Sequence, residues 1–131
     1  IGGVLIHPDI KASHGLLGTT FGGNHLACAA GLGVLEIIEG ENLMAHAQQM
    51  GDFLITELNK IPGIKEVRGK GLMIGIDLER EAGPVRSELV NKYRIFTGSS
   101  AGKHTIRLLP PLNIEMNQLS SFLDSLKKIL N

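Results

Sequence analysis

Ile64-Lys65-Glu66-Val67-Arg68-Gly69-Lys70-Gly71-Leu72-Met73-Ile74-Gly75-Ile76-Asp77-Leu78 is the stretch that decides how this chain folds. Two apolar runs, Ile64 to Val67 and Leu72 to Leu78, flank Gly69-Lys70-Gly71. In the second run Leu72, Ile74, Ile76 and Leu78 alternate with Met73, Gly75 and Asp77. That period of two marks a strand with one face more deeply buried. The gap between the runs is too short for the crossover that a parallel pair needs, so an antiparallel pair is predicted.

Downstream, a short helix is predicted over 84–93, with Pro84 in its first turn and Val85 and Leu89 on one face. Arg94 to Thr97 reads as a short strand, Gly98 to His104 as a polar turn, and Thr105 to Leu109 as another strand stopped by Pro110-Pro111. A last helix over 116–130 carries Leu119, Phe122, Leu123, Leu126, Ile129 and Leu130 on one face. Upstream, Leu43, Ala47, Met50, Leu54 and Leu58 step by three and four through a helix over 41–60, which Pro62-Gly63 turns out of. Before it, Asn24 opens an apolar helix with Leu26, Ala27, Ala30, Val34, Leu35 and Ile38 on one side, ended by Gly40. Residues 9–23 read as a long ordered loop, and Val4 to Ile6 as a short buried strand stopped by His7-Pro8. The expected fold class is α/β, in the sense of an α+β layer: a small, largely antiparallel sheet covered by helices.

The 131 residues suit one domain, or a small domain with a remnant of another, and can bury a core without staples. Lys+Arg and Asp+Glu both number 13, so no net charge draws the chain to nucleic acid or to an anionic membrane. No apolar run approaches the ~20 residues of a membrane span. One cysteine, Cys28, excludes an internal disulfide and suits a reducing cytoplasm. The chain opens without Met, in the middle of a predicted strand, and reads as a fragment.

Chemistry points to Gly18-Thr19-Thr20-Phe21-Gly22-Gly23-Asn24. A helix N-terminus presents unpaired N–H groups and partial positive charge. Glycines let that backbone approach an anion, and threonine hydroxyls add donors. The stretch is a candidate phosphate site. The residues alone leave open that Asn24 only caps the helix and that the threonines only satisfy the loop. No Gly-Lys-Ser/Thr follows, so this is not a Walker loop. His7, His14, His46 and His104 lack metal-ligand spacing and read as surface or loop residues, and no metal is expected. Cys28 reads as a small buried helix residue rather than a nucleophile. Gly69-Lys70-Gly71 reads as a tight hairpin, and Lys11 as a solvated loop charge.

The run Gly18-Thr19-Thr20-Phe21-Gly22-Gly23-Asn24-His25-Leu26-Ala27-Cys28-Ala29-Ala30 resembles the class III pyridoxal-phosphate-dependent aminotransferases, whose Gly-Ser/Thr-Thr-aromatic-Gly-Gly-Asn-Pro-Leu run follows the cofactor lysine. Val67-Arg68-Gly69-Lys70-Gly71-Leu72-Met73-Ile74-Gly75-Ile76 and Ile106-Arg107-Leu108-Leu109-Pro110-Pro111-Leu112-Asn113-Ile114 are similar to the same family, and to its acetylornithine branch. The three stretches lie in family order and cover nearly the whole chain. His25 departs from the family's proline and is read as a polar first-turn residue.

The resemblance implies the C-terminal small domain of a fold-type I transferase over residues 25–131, with residues 1–24 a remnant of the large cofactor-binding domain. It implies pyridoxal 5'-phosphate as cofactor, an amino donor and 2-oxoglutarate as substrates, and a cytoplasmic homodimer. Thr20 matches the threonine that binds the cofactor phosphate across the dimer interface, and Thr19 is the adjacent Ser/Thr. Arg107 matches the arginine at the substrate end of the pocket, where a guanidinium grips a carboxylate bidentately. The cofactor-bearing lysine belongs upstream of Ile1, and neither Lys11 nor Lys70 matches its setting. No catalytic residue is therefore expected in these 131 residues, and alone they are expected to be inactive. The reaction most in keeping with the resemblance moves the δ-amino group of N-acetylornithine to 2-oxoglutarate in arginine biosynthesis. Ornithine, succinylornithine and 4-aminobutyrate are the alternative donors, an aminomutase or decarboxylase a further relative, and a non-catalytic interaction module the reading of a different class.

Overall fold

A computed structural model of the chain describes residues 2–3, 5–11, 13, 15 and 18–131. They divide into two compact units, Ile1–Glu41 and Asn42–Asn131.

In the second unit the sheet is the organiser. Strands β1 (Ile64–Lys70) and β2 (Met73–Leu78) form the predicted antiparallel hairpin around Gly71 and Leu72. Gly71 takes a φ of 54°, a conformation that suits glycine at a tight turn. β4 (Thr105–Leu108) pairs antiparallel with β2, and the two-residue β3 (Gly98–Ser99) pairs antiparallel with β4. The sheet order is β1-β2-β4-β3.

The period-two pattern places Leu72, Ile74, Ile76 and Leu78 inside, joined by Ile106 and Leu108. Helices α2 (Leu43–Leu58), α3 (Ala82–Tyr93) and α4 (Met116–Leu130) supply the rest of that single core. Leu43, Ala47, Met50, Leu54 and Leu58 are buried on α2, Val85 and Leu89 on α3, and Leu119, Phe122, Leu123, Leu126 and Leu130 on α4, as the helical spacing predicts. Ile129 is half-buried at the edge of the cluster. α4 starts in a capping box of Glu115 and Gln118. Its C-terminal carbonyl at Leu130 accepts a hydrogen bond from Arg80 Nη2 at 2.9 Å, a cation at the negative end of the helix.

Arg94 to Thr97 does not form the predicted strand. Arg94 adopts a left-handed φ of 61° and closes α3, its N–H and that of Ile95 donating to the carbonyls of Val90 and Leu89. Those donors are spent on the helix end, so the ladder to β4 begins only at Gly98. His46 also differs from expectation. It lies half-buried on α2, and Nε2 donates to the Ile114 carbonyl at 2.8 Å, tying α2 to the loop before α4.

In the first unit, α1 (His25–Gly40) forms as predicted. Leu5 and Ile6 form no strand and are exposed, and no partner strand is present among the described residues of this unit; Val4 lies outside the described residues, as does His14. α1 has no buried residue, and Leu26, Val34 and Leu35 are exposed. Cys28 is half-buried rather than buried. No helix of the described residues is long and apolar enough to cross a membrane.

Candidate functional site

The turn before α1 is built by three local devices. Thr19 and Gly22 close one turn, with the Gly22 N–H 3.5 Å from the Thr19 carbonyl oxygen, and Asn24 N–H donates to the Phe21 carbonyl at 3.3 Å. Gly23 needs its glycine, since φ is 71°. A Cβ at Gly22 would overlap the Thr19 methyl, so Thr19 would have to turn to make room. Asn24 then locks the turn to the helix. Its Oδ1 accepts the Ala27 N–H at 2.9 Å, and its Nδ2 donates to the Phe21 carbonyl at 2.8 Å.

This arrangement leaves Thr19 and Thr20 exposed on one turn, and neither hydroxyl has a hydrogen-bond partner among the described residues. The N–H groups of His25 and Leu26 open the helix and have no acceptor within it. Hydroxyls, free N–H groups and a backbone bared by glycine are the donor set of a phosphate group. Such a donor set suits an anionic group of the phosphate type. Lys11 is an exposed loop residue, and Lys70 ends β1 in solvent.

Arg107 belongs to the second unit. It faces away from the core on β4, exposed, between Gly75 of β2 and Gly98 of β3. It has no ion pair among the described residues, which leaves its guanidinium available to a carboxylate. With Phe96, Pro110, Asn117 and Gln118 it lines an open cavity of about 650 Å3.

Sequence reasoning missed the polar cluster beside it. Asp77 and Thr105 are register partners on β2 and β4, and Thr105 Oγ1 donates to Asp77 Oδ1 at 2.5 Å. Arg68 on β1 donates to both Asp77 oxygens. The Arg68 hydrogen bond first, and the Thr105 hydroxyl second, hold the Asp77 carboxyl below the usual carboxylate range. Arg68 in turn holds its proton more tightly than a free arginine, chiefly through the same hydrogen bond. The alternation that flagged the buried residues also put Asp77 and Arg68 on the opposite face, but a charge pair needs the register, which the sequence does not print. Nearby, Arg86 donates from Nε and Nη2 to the Thr97 carbonyl, at 3.3 and 2.8 Å. Thr97 is buried, and its hydroxyl has no partner among the described residues. Among the described residues no group of three or more His, Cys, Asp or Glu is placed to hold a metal ion.

The family model for class-III aminotransferases matches residues 6–130. The chain belongs to this family. Class-III aminotransferases are pyridoxal-phosphate dependent, in keeping with the phosphate-type turn at Thr19 and Thr20. The chain is 46% identical over 99 residues to acetylornithine aminotransferase 1 of Bordetella bronchiseptica, covering 72% of this chain and 25% of that protein. It is 40% identical over 116 residues to ornithine aminotransferase of Bacillus cereus, covering 87% of this chain and 29% of that protein. In structure it is similar to the ornithine aminotransferase of Toxoplasma gondii, with a TM-score of 0.78 and 28% identity over 91% of this chain and 30% of the other. The acetylornithine aminotransferase of Elizabethkingia anophelis gives a TM-score of 0.74 at 29% identity, over 92% of this chain and 33% of the other. This class-III chain thus spans about a quarter to a third of the length of the relatives it matches. Its mixed α/β fold with a small antiparallel sheet is shared with these aminotransferases over about 30% of their length.

Proposed function

We propose that this chain is the C-terminal portion of a transaminase that moves the δ-amino group of N-acetylornithine to 2-oxoglutarate. The reading is carried by the membership of the class-III family, with an exposed two-hydroxyl turn at Thr19 and Thr20 in one unit and, in the other, Arg107 without an ion pair among the described residues. Residues 25–131 act as the small domain, and residues 1–24 as the end of the large one. When bound, pyridoxal phosphate supplies the electron sink that loosens the proton on the amino-bearing carbon. Thr20 and Thr19 hold the phosphate by hydroxyl donation, with Thr20 serving the site of the partner subunit in a homodimer. Arg107 binds and orients a substrate carboxylate through its two parallel N–H donors. The lysine that carries the cofactor lies outside these 131 residues. A cytoplasmic, biosynthetic role in making arginine accompanies this reading.

A second donor has specific support. Ornithine aminotransferases match a longer stretch, 116 residues against 99, at lower identity, 40% against 46%. The test is an assay of the intact polypeptide that contains this chain, with 2-oxoglutarate as acceptor and glutamate as readout. A kcat/KM for N-acetylornithine above those for ornithine, succinylornithine and 4-aminobutyrate is the expected result. Preference for ornithine replaces the donor, and no turnover with any of the four refutes the transaminase reading.

A further inference from the structure

We propose that Gly98 is a positioning residue for Arg107: its missing side chain leaves the slot in which the arginine lies, and so sets the affinity for the dicarboxylate acceptor. The inference rests on the reading of Arg107 as a carboxylate binder.

Four residues face one another across the sheet in a single row, Arg68 on β1, Gly75 on β2, Arg107 on β4 and Gly98 on β3. Each arginine lies over the glycine next to it. A Cβ at Gly75 would have Arg68 Cγ and Nε at 3.7 Å and Cζ at 3.8 Å as its nearest neighbours. A Cβ at Gly98 would meet the Arg107 carbonyl oxygen at 3.1 Å, Nε at 3.3 Å and Cβ at 3.5 Å. Arg107 is therefore turned toward β3. The other side is taken: Arg68, held by Asp77, covers Gly75 and places a like charge there. Gly98 itself is fixed in place, since Arg86 grips the carbonyl of the preceding Thr97 with two N–H donors. A Cβ at 98 therefore presses on Arg107 from the β3 side, whereas one at 75 finds ordinary contact distances. Bidentate binding of a carboxylate depends on the plane of the guanidinium, so a small displacement costs affinity.

The experiment uses the intact enzyme and compares Gly98→Val, Gly98→Ala, Gly75→Ala and Arg107→Gln. Binding of glutarate, an unreactive dicarboxylate, is measured by calorimetry, alongside KM for 2-oxoglutarate and for the amino donor. Gly98→Val is expected to weaken glutarate binding and raise the KM for 2-oxoglutarate by about tenfold, with the KM for the donor little changed. Gly98→Ala goes the same way by a smaller factor and serves if the valine variant fails to fold, while Gly75→Ala leaves glutarate binding as it was. If Arg107→Gln weakens glutarate binding and neither Gly98 variant does, the proposal is overturned. It is equally overturned if Gly75→Ala does as much harm as Gly98→Ala. If Arg107→Gln has no effect on glutarate, the carboxylate reading of Arg107 fails first and takes this proposal with it.

Discussion

Arg68 on β1 and Asp77 on β2 form a two-pronged ion pair across the hairpin, with Nη1 2.5 Å from Oδ2 and Nη2 3.3 Å from Oδ1. Thr105 reaches the same carboxylate from the other neighbouring strand, so one acidic group joins three strands on the solvent face of the sheet. Because its partners hold the carboxyl below the usual range, its folded pKa lies under the unfolded value of about 4. The stabilisation is therefore complete above that unfolded value and is lost as pH falls through the folded one. Asp77→Asn is expected to lower Tm by a few degrees at neutral pH, an effect kept modest by the solvent around the half-exposed Arg68. Melting curves taken from neutral pH into strong acid should show the gap to wild type closing below the carboxylate range. A gap of constant size would show that the charge is not its source.

Gly51 is a contact point between α2 and the hairpin. It is buried, and a Cβ there would overlap the backbone of Gly71, whose Cα would stand 2.8 Å away. Backbone does not yield as a flexible side chain does. Gly51→Ala is expected to cost about 2 kcal/mol or more, read from denaturant midpoints. A loss within about 0.5 kcal/mol would mean that α2 can slide on the turn.

Leu126 on α4 is fully buried, whereas Met73 on β2 is 64% exposed. Leu126→Ala should cost about 3 kcal/mol through lost burial and the cavity left behind. Met73→Ala, on the opposite face, should change stability by less than about 0.5 kcal/mol. Similar losses at both positions in denaturant unfolding would contradict the one-sided core.

Thr20→Val keeps the shape of the side chain and removes the hydroxyl. The affinity of the intact enzyme for pyridoxal phosphate, followed by absorbance titration, is expected to fall by about tenfold or more, the usual effect of losing a hydrogen bond to a charged group. An unchanged affinity would end the reading of this turn as the phosphate cradle.

On the proposed reading the cofactor-bearing lysine is not among these 131 residues, so purified by themselves they are expected to show no transamination. Glutamate production by the isolated chain would disprove this.

Much of the fold was legible because burial leaves periodic traces. Leu72 to Leu78 announced a half-buried strand, and Leu119 to Leu130 announced the inward face of α4, each with little error at the ends. Leu5 to Ile6 and Arg94 to Thr97 are where short apolar runs misled. Leu5 and Ile6 have no partner strand among the described residues, and Arg94 and Ile95 spend their N–H groups on the end of α3. A short run carries too little pattern to say where its hydrogen bonds go. In the same way, His46 looked like a surface residue, and only the approach of Ile114, far along the chain, gives it a partner.

The sequence by itself determined the alternation that makes one sheet face apolar, the helical stripes that cover it, the glycine and asparagine chemistry of the turn before α1, and the family to which these motifs belong. Those are local properties, carried by neighbours within a few residues. Tertiary structure decided the rest: that Arg68 meets Asp77, that Gly51 touches Gly71, and that Arg107 lies over Gly98. Each of these depends on strand register or on a helix docking against a turn, and a shift of one residue would undo it. Register is fixed by the packing of the whole core, so no segment of the chain carries it alone.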